Sequence, residues 1–133
     1  VQHEVRVPIR ASEDVVVARK QGRIFATKLG FLKGDPAIIA AAISELTTNI
    51  LQYAFEGEII MQCAEQGGRE GIEIIATDNG PGISDVERSM EDGYSTSGRL
   101  GLGLPGTKRV MDDFEIVSLP GRGTTVTIRK WLK

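Results

Sequence analysis

The chain has 133 residues, 41% of them hydrophobic, a formal net charge of −2 and one cysteine. That suits a single domain, residues 1–133, built on one core, and leaves no room for a second catalytic or dimerisation domain. The near-neutral charge excludes a global basic field for nucleic acid or an anionic membrane, no apolar run reaches the roughly 18–20 residues of a membrane span, and Cys63 alone cannot form an intramolecular disulfide.

Residues 1–6 lack the apolar core of a signal peptide, so a cytoplasmic location is expected. Residues 4–9 alternate polar and apolar (Val5, Val7, Ile9), the period of a strand with one buried face. Ser12 is placed to cap a helix, with Glu13 and Asp14 at the positive end of its dipole. This helix is predicted to reach about Leu29 and stop at Gly30. Its apolar arc reads as Val17, Ala18, Ile24, Phe25 and Leu29, leaving Arg19 and Arg23 toward solvent. Asp35-Pro36 restarts a helix as an N-cap followed by proline at the first helical position. Over residues 36–54 that helix carries Ile39, Ile43, Leu46, Ile50 and Tyr53 on one stripe, with Glu45 and Asn49 stacked at its edge.

Residues 58–64 and 71–77 read as strands joined in an antiparallel hairpin across Glu65-Gln66-Gly67-Gly68-Arg69-Glu70, the second delivering Asp78 at its end. Ser84-Asp85-Val86-Glu87 is a capping-box pattern for a short helix. Residues 91–99 read as a mobile polar loop and residues 107–113 as a helix. Residues 114–119 and 124–131 follow as strands around Pro120-Gly121-Arg122-Gly123. The sum is an α+β fold, a mainly antiparallel sheet with helices on one face.

Three segments carry candidate chemistry. Gly101-x-Gly103-x-x-Gly106 precedes a helix and follows a loop rather than a strand, which fails the context of a dinucleotide fold. Its small residues still permit backbone N–H groups to approach phosphate oxygens at a helix start. Asp78-Asn79-Gly80-Pro81-Gly82 places a carboxylate at a strand end beside a glycine turn, an acceptor for an adenine amino group and equally an ordinary Asx turn. Asn49 offers a neutral oxygen for Mg²⁺, and Glu45, one turn earlier, a base for an attacking hydroxyl. Each segment alone has a plain structural explanation. Together they supply the metal ligand, base, adenine acceptor and phosphate cradle that an ATP site requires.

In that order, Glu45-x-x-x-Asn49, Asp78-x-Gly80-x-Gly82, Gly101-x-Gly103-x-x-Gly106 and the late Gly123-Thr124-Thr125 resemble the successive boxes of the GHKL ATPases. The runs at residues 44–50, 90–97 and 103–109 are similar to those of the small bacterial anti-sigma and switch-protein serine kinases, of the RsbT stressosome type in particular. The resemblance implies a Bergerat α/β sandwich with a mixed, mainly antiparallel sheet, and a kinase using ATP and Mg²⁺. By motif, Glu45 would be the catalytic base and Asn49 the Mg²⁺ ligand. Asp78, with Thr124 or Thr125, would read adenine. Gly80, Gly82, Gly101, Leu102, Gly103, Leu104 and Gly106 would contact the nucleotide, with residues 94–104 as a lid that includes Arg99. The implied substrate is a serine or threonine on a STAS-domain protein in a stress-related partner switch, with a PP2C-type phosphatase or a sigma factor as a further partner.

Two alternatives compete with the kinase. One is an ATP-regulated protein that binds a sigma factor without significant kinase turnover. The other is an ATP hydrolase module of a larger machine, against which both termini read as strands with nothing visibly truncated. Lys108 and Arg109 read as solvated helix residues, and Arg19, Lys20 and Arg23 as a solvated face that also suits a partner. His3, in a terminal strand, is a poor phosphoacceptor, which disfavours a self-phosphorylating histidine kinase.

Overall fold

The computed structural model describes residues 4–80, 103–119, 121 and 123–132. In chain order these form β1 (Glu4–Ile9), α1 (Glu13–Leu29), α2 (Asp35–Tyr53), β2 (Gly57–Gln66), β3 (Arg69–Asp78), α3 (Gly103–Val110), β4 (Asp113–Leu119) and β5 (Gly123–Trp131). The predicted helix at residues 84–87 and the loop at residues 91–99 lie outside the described residues.

The five strands form one sheet in the order β1-β2-β3-β5-β4. Every pairing among the described strands is antiparallel, so the α+β expectation stands without a parallel component. The period of two puts Val7 and Ile9 of β1, Ile59 and Met61 of β2, Ile72, Ile74 and Ala76 of β3, and Val126 and Ile128 of β5 on one buried face. Helices α1 and α2 cover that face, and their Phe25, Ile39, Ile43, Leu46 and Ile50 join the same core. The hairpin β2–β3 is longer than predicted because its turn is only Gly67-Gly68. Both residues have positive φ (59° and 82°), as a two-residue turn matched to strand twist requires.

Two local expectations are corrected. On α1 the inward residues are Ala18, Gly22, Phe25 and Ala26, whereas Val17 and Ile24, read as part of the apolar arc, are 45% and 49% exposed. Glycine and alanine face the core there because α1 packs closely on α2, where the Ile43 side chain fills the space a side chain at Gly22 would need. The larger aliphatics are left on the helix flank. At the start of α1, Ser12 makes no side-chain cap hydrogen bond. Asp14 instead reaches back and ties the incoming chain to the helix start, its Oδ2 accepting the backbone N–H groups of Arg10 (2.9 Å) and Ala11 (3.1 Å).

Helix α3 also begins earlier and ends earlier than the predicted 107–113. Gly103 to Gly106 form its first turn, where Pro105 is tolerated because those N–H groups have no intrahelical partner. It ends at Val110 because the next residues are drawn onto β5. Asp112 Oδ2 accepts Trp131 N–H (2.8 Å), Asp113 Oδ2 accepts the Trp131 indole N–H (3.1 Å), and Asp112 N–H donates to Arg129 O (2.9 Å).

Candidate active site

A small cleft of about 30 Å³, open to solvent, lies between α2 and the ends of β3 and β5. Helix α2 contributes Leu46, Asn49, Ile50 and Tyr53, spaced i, i+3, i+4 and i+7 on one face. Strand alternation brings Ala76 and Asp78 of β3 beside Val126 and Thr124 of β5, and Leu104 of α3 completes the lining. The walls are therefore mostly aliphatic, with Asn49, Asp78, Thr124 and Tyr53 supplying the polar groups. A flat apolar body with a few hydrogen-bonding edges matches that lining.

Asp78 is fixed in the cleft from two sides. Its Oδ1 accepts backbone N–H groups from Gly80 (2.9 Å) and, across to β5, from Thr124 (3.2 Å). Its Oδ2 accepts no hydrogen bond among the described residues. Two glycines make this geometry possible. A Cβ at Gly80 would stand 2.5 Å from Ala54 Cβ, at the end of α2. Gly123 has φ of 87°, and a Cβ there would collide with the Asp78 carbonyl oxygen. Behind Thr124, its Oγ1 lies 2.8 Å from Ser118 Oγ on β4, with which it is paired in register.

The structure thus gathers Asn49, Asp78, Gly80, Leu104 and Thr124, which the motifs had separated by up to 75 positions (124 − 49). Glu45 is half-buried on α2, one turn before Asn49, and is not among the residues lining the cleft. Thr125 faces the other side of the sheet, its Oγ1 lying 3.2 Å from Thr77 Oγ1, so of the two threonines only Thr124 borders the cleft. Gly103 and Gly106 sit in the first turn of α3. Gly82, Arg99, Gly101 and Leu102 lie outside the described residues. Lys108 and Arg109 are exposed on α3.

Sequence reading missed Leu46, Ile50, Tyr53, Ala76 and Val126 as cleft walls, because all five were read only as core or strand. Their signal was the period itself: Ala76 precedes Asp78 by two, Val126 follows Thr124 by two, and Tyr53 follows Asn49 by four. Ser118 had no such signal, since its place beside Thr124 depends on the β4–β5 register.

Residues 34–133 match the family described as histidine kinase-, DNA gyrase B- and HSP90-like ATPase. The chain belongs to that family of ATPases, the GHKL group, and is an ATP-using enzyme of it. It is 50% identical to the Serine/threonine-protein kinase RsbT of Bacillus subtilis (strain 168), over 96% of each chain. It is also 32% identical to the Anti-sigma F factor of Thermoanaerobacter sp. (strain X514), and 33% identical to that of Caldanaerobacter subterraneus subsp. tengcongensis, each over 91% of this chain and 87% of the relative. Within the family the chain falls with the serine/threonine-protein kinases.

Proposed function

We propose that the cleft binds ATP with its adenine against Leu46, Ile50, Ala76 and Val126, and that the chain transfers the γ-phosphate to a serine or threonine of a STAS-domain antagonist in a cytoplasmic stress-related partner switch. The observation that carries this is Asp78, its Oδ1 held by two backbone N–H groups and its Oδ2 taken by no donor among the described residues. A carboxylate so held accepts a hydrogen bond from the exocyclic amino group of adenine and opposes a carbonyl at that position.

Asn49 stands across the cleft on α2, where its side-chain oxygen suits Mg²⁺, a hard cation that takes one or two protein oxygens and keeps water and phosphate ligands. When bound, such an ion neutralises charge on the transferring phosphoryl group. The residues of the chain do the rest. Glu45 accepts the proton of the substrate hydroxyl as its oxygen bonds to the γ-phosphorus and the bond to the β–γ bridging oxygen breaks, releasing ADP. The first turn of α3, from Gly103, presents backbone N–H groups to the phosphates.

Identity to RsbT favours kinase turnover, and similarity to the anti-sigma F factors extends the proposal to a further protein partner, a PP2C-type phosphatase or a sigma factor. Incubation with γ-labelled ATP, Mg²⁺ and purified STAS-domain proteins tests the proposal. Label is expected on serine or threonine of one STAS protein. ATP binding without transfer to any of them, alongside tight sigma-factor binding, would instead establish the anti-sigma alternative.

A further inference from the structure

We infer that Gly57 is a positioning residue for base recognition: the side chain it lacks leaves the space in which Asp78 and Ile50 take their places at the cleft. This rests on the adenine site proposed above. Gly57 opens β2, is paired with Asp78 in register, and lies outside the glycine motifs read in the sequence. It is not among the residues lining the cleft. Its φ is not positive, so space rather than backbone conformation calls for glycine. A Cβ there would collide with the Thr77 carbonyl oxygen, and would stand 2.9 Å from Ile50 Cγ2 and 3.1 Å from Asp78 Cβ. Facing Cβ atoms of antiparallel strands are ordinarily about 4.5–5.5 Å apart, so β2 and β3 are drawn closely together here.

The groups it would meet are those that shape the cleft. The Thr77 carbonyl belongs to the planar peptide that carries the nitrogen and Cα of Asp78, so displacing that oxygen displaces Asp78 with it. On its other side β3 has no room to yield, because the Asp78 carbonyl oxygen already occupies the space a Cβ at Gly123 would need. Asp78 is thus seated between two glycines of the neighbouring strands, Gly57 of β2 and Gly123 of β5. Retreat of β2 toward α2 is opposed by Ile50, which is 3% exposed and forms a wall of the cleft. A side chain on residue 57 therefore moves the acceptor, the wall or both without entering the cleft. The bond from Thr124 N–H to Asp78 Oδ1 is the sensitive point, since its 3.2 Å is at the long end for an N–H···O bond.

The test compares ATP and ITP affinity by calorimetry for the wild-type protein, Gly57→Ala, Gly71→Ala and Asp78→Asn, with melting temperatures taken without nucleotide. ITP carries a carbonyl oxygen where adenine has its amino group, so the ATP/ITP ratio reads the placement of Asp78. Gly71→Ala is the matched control. Gly71 also lacks a positive φ, and its Cβ would collide with the Lys130 carbonyl oxygen of the next strand, but it lies near the start of β3, away from Asp78. Both glycine variants are expected to melt lower. Only Gly57→Ala is expected to narrow the ratio, by about 3–10-fold and chiefly through weaker ATP binding, the worth of weakening one hydrogen bond. An unchanged ratio in Gly57→Ala, while Asp78→Asn loses it, would overturn the role of Gly57 and leave the adenine site intact. Equal weakening of both nucleotides, or a ratio narrowed as much in Gly71→Ala, would reduce Gly57 to a strand-packing residue. If Gly57→Ala is unfolded at the titration temperature, repeating every titration in trimethylamine N-oxide, which favours the compact state, gives the same comparison. A wild-type protein that does not distinguish ATP from ITP would remove the adenine site and this inference together.

Discussion

At the scale of single residues, the cleft depends on how Asp78 is held rather than on its charge alone. Asp78→Asn keeps an oxygen for the two backbone N–H groups but sets an NH₂ where Oδ2 stood, donor against donor toward an adenine amino group. ATP affinity is expected to fall roughly 10–100-fold, the range for a charge-assisted hydrogen bond, with thermal stability nearly unchanged. Calorimetry giving equal affinity would contradict the adenine assignment. Gly123→Ala acts from the other side. Its φ of 87° and the crowding against the Asp78 carbonyl are expected to cost at least about 1–2 kcal/mol in urea unfolding. Wild-type stability in that variant would show that the β5 start can move. Asp78 and Gly80 were legible from the chemistry of a strand-end glycine turn, whereas Thr124 was legible only through the family resemblance of Gly123-Thr124-Thr125. The bond joining Asp78 to Thr124 was not, because it closes across 46 positions of sequence.

At the scale of elements, the register of α1 separates two residues that composition treats alike. Phe25 is 5% exposed and its neighbour Ile24 is 49% exposed. Phe25→Ala is expected to cost about 3–5 kcal/mol, and Ile24→Ala about 0.5 kcal/mol or less. Similar costs from denaturant titration would favour the apolar arc read from sequence. That arc went astray because periodicity weighs large aliphatics and discounts Gly22 and Ala26, small residues on which close helix packing depends. The end of α2 gives a second case. Phe55 has φ of 71° and is 79% exposed, where glycine is the usual residue after a helix. Phe55→Gly removes a left-handed penalty of about 1–2 kcal/mol and adds unfolded-chain entropy worth somewhat less, so melting temperature is expected to rise slightly. A clear fall would mean that the ring makes a contact that stabilises the fold. The strands, by contrast, were legible to within a few residues, since alternation and the Gly67-Gly68 turn state them directly.

At the scale of the whole molecule, order along the chain becomes arrangement around one cleft. Helix α2 supplies Asn49 and two apolar walls, β3 supplies Asp78, β5 supplies Thr124, and α3 brings Leu104 over them. The sheet order places β5 between β3 and β4, which puts the Gly123-Thr124 turn against Asp78 and Ser118 behind it. The motifs named these parts in sequence but left the side of the sheet undecided, which is why Thr124 and Thr125 stood as equals until the alternation of β5 separated them. The proposed division of labour puts nucleotide binding in Asp78, Asn49 and the apolar walls, and proton removal in Glu45, outside the cleft lining.

Single-turnover transfer from γ-labelled ATP to a STAS-domain substrate, with ATP affinity measured in parallel for wild type and Glu45→Ala, tests that division most directly. The expected result is an unchanged ATP affinity in Glu45→Ala with transfer slowed by about 10²–10⁴-fold, the usual worth of a general base. Transfer at the wild-type rate in Glu45→Ala would contradict it.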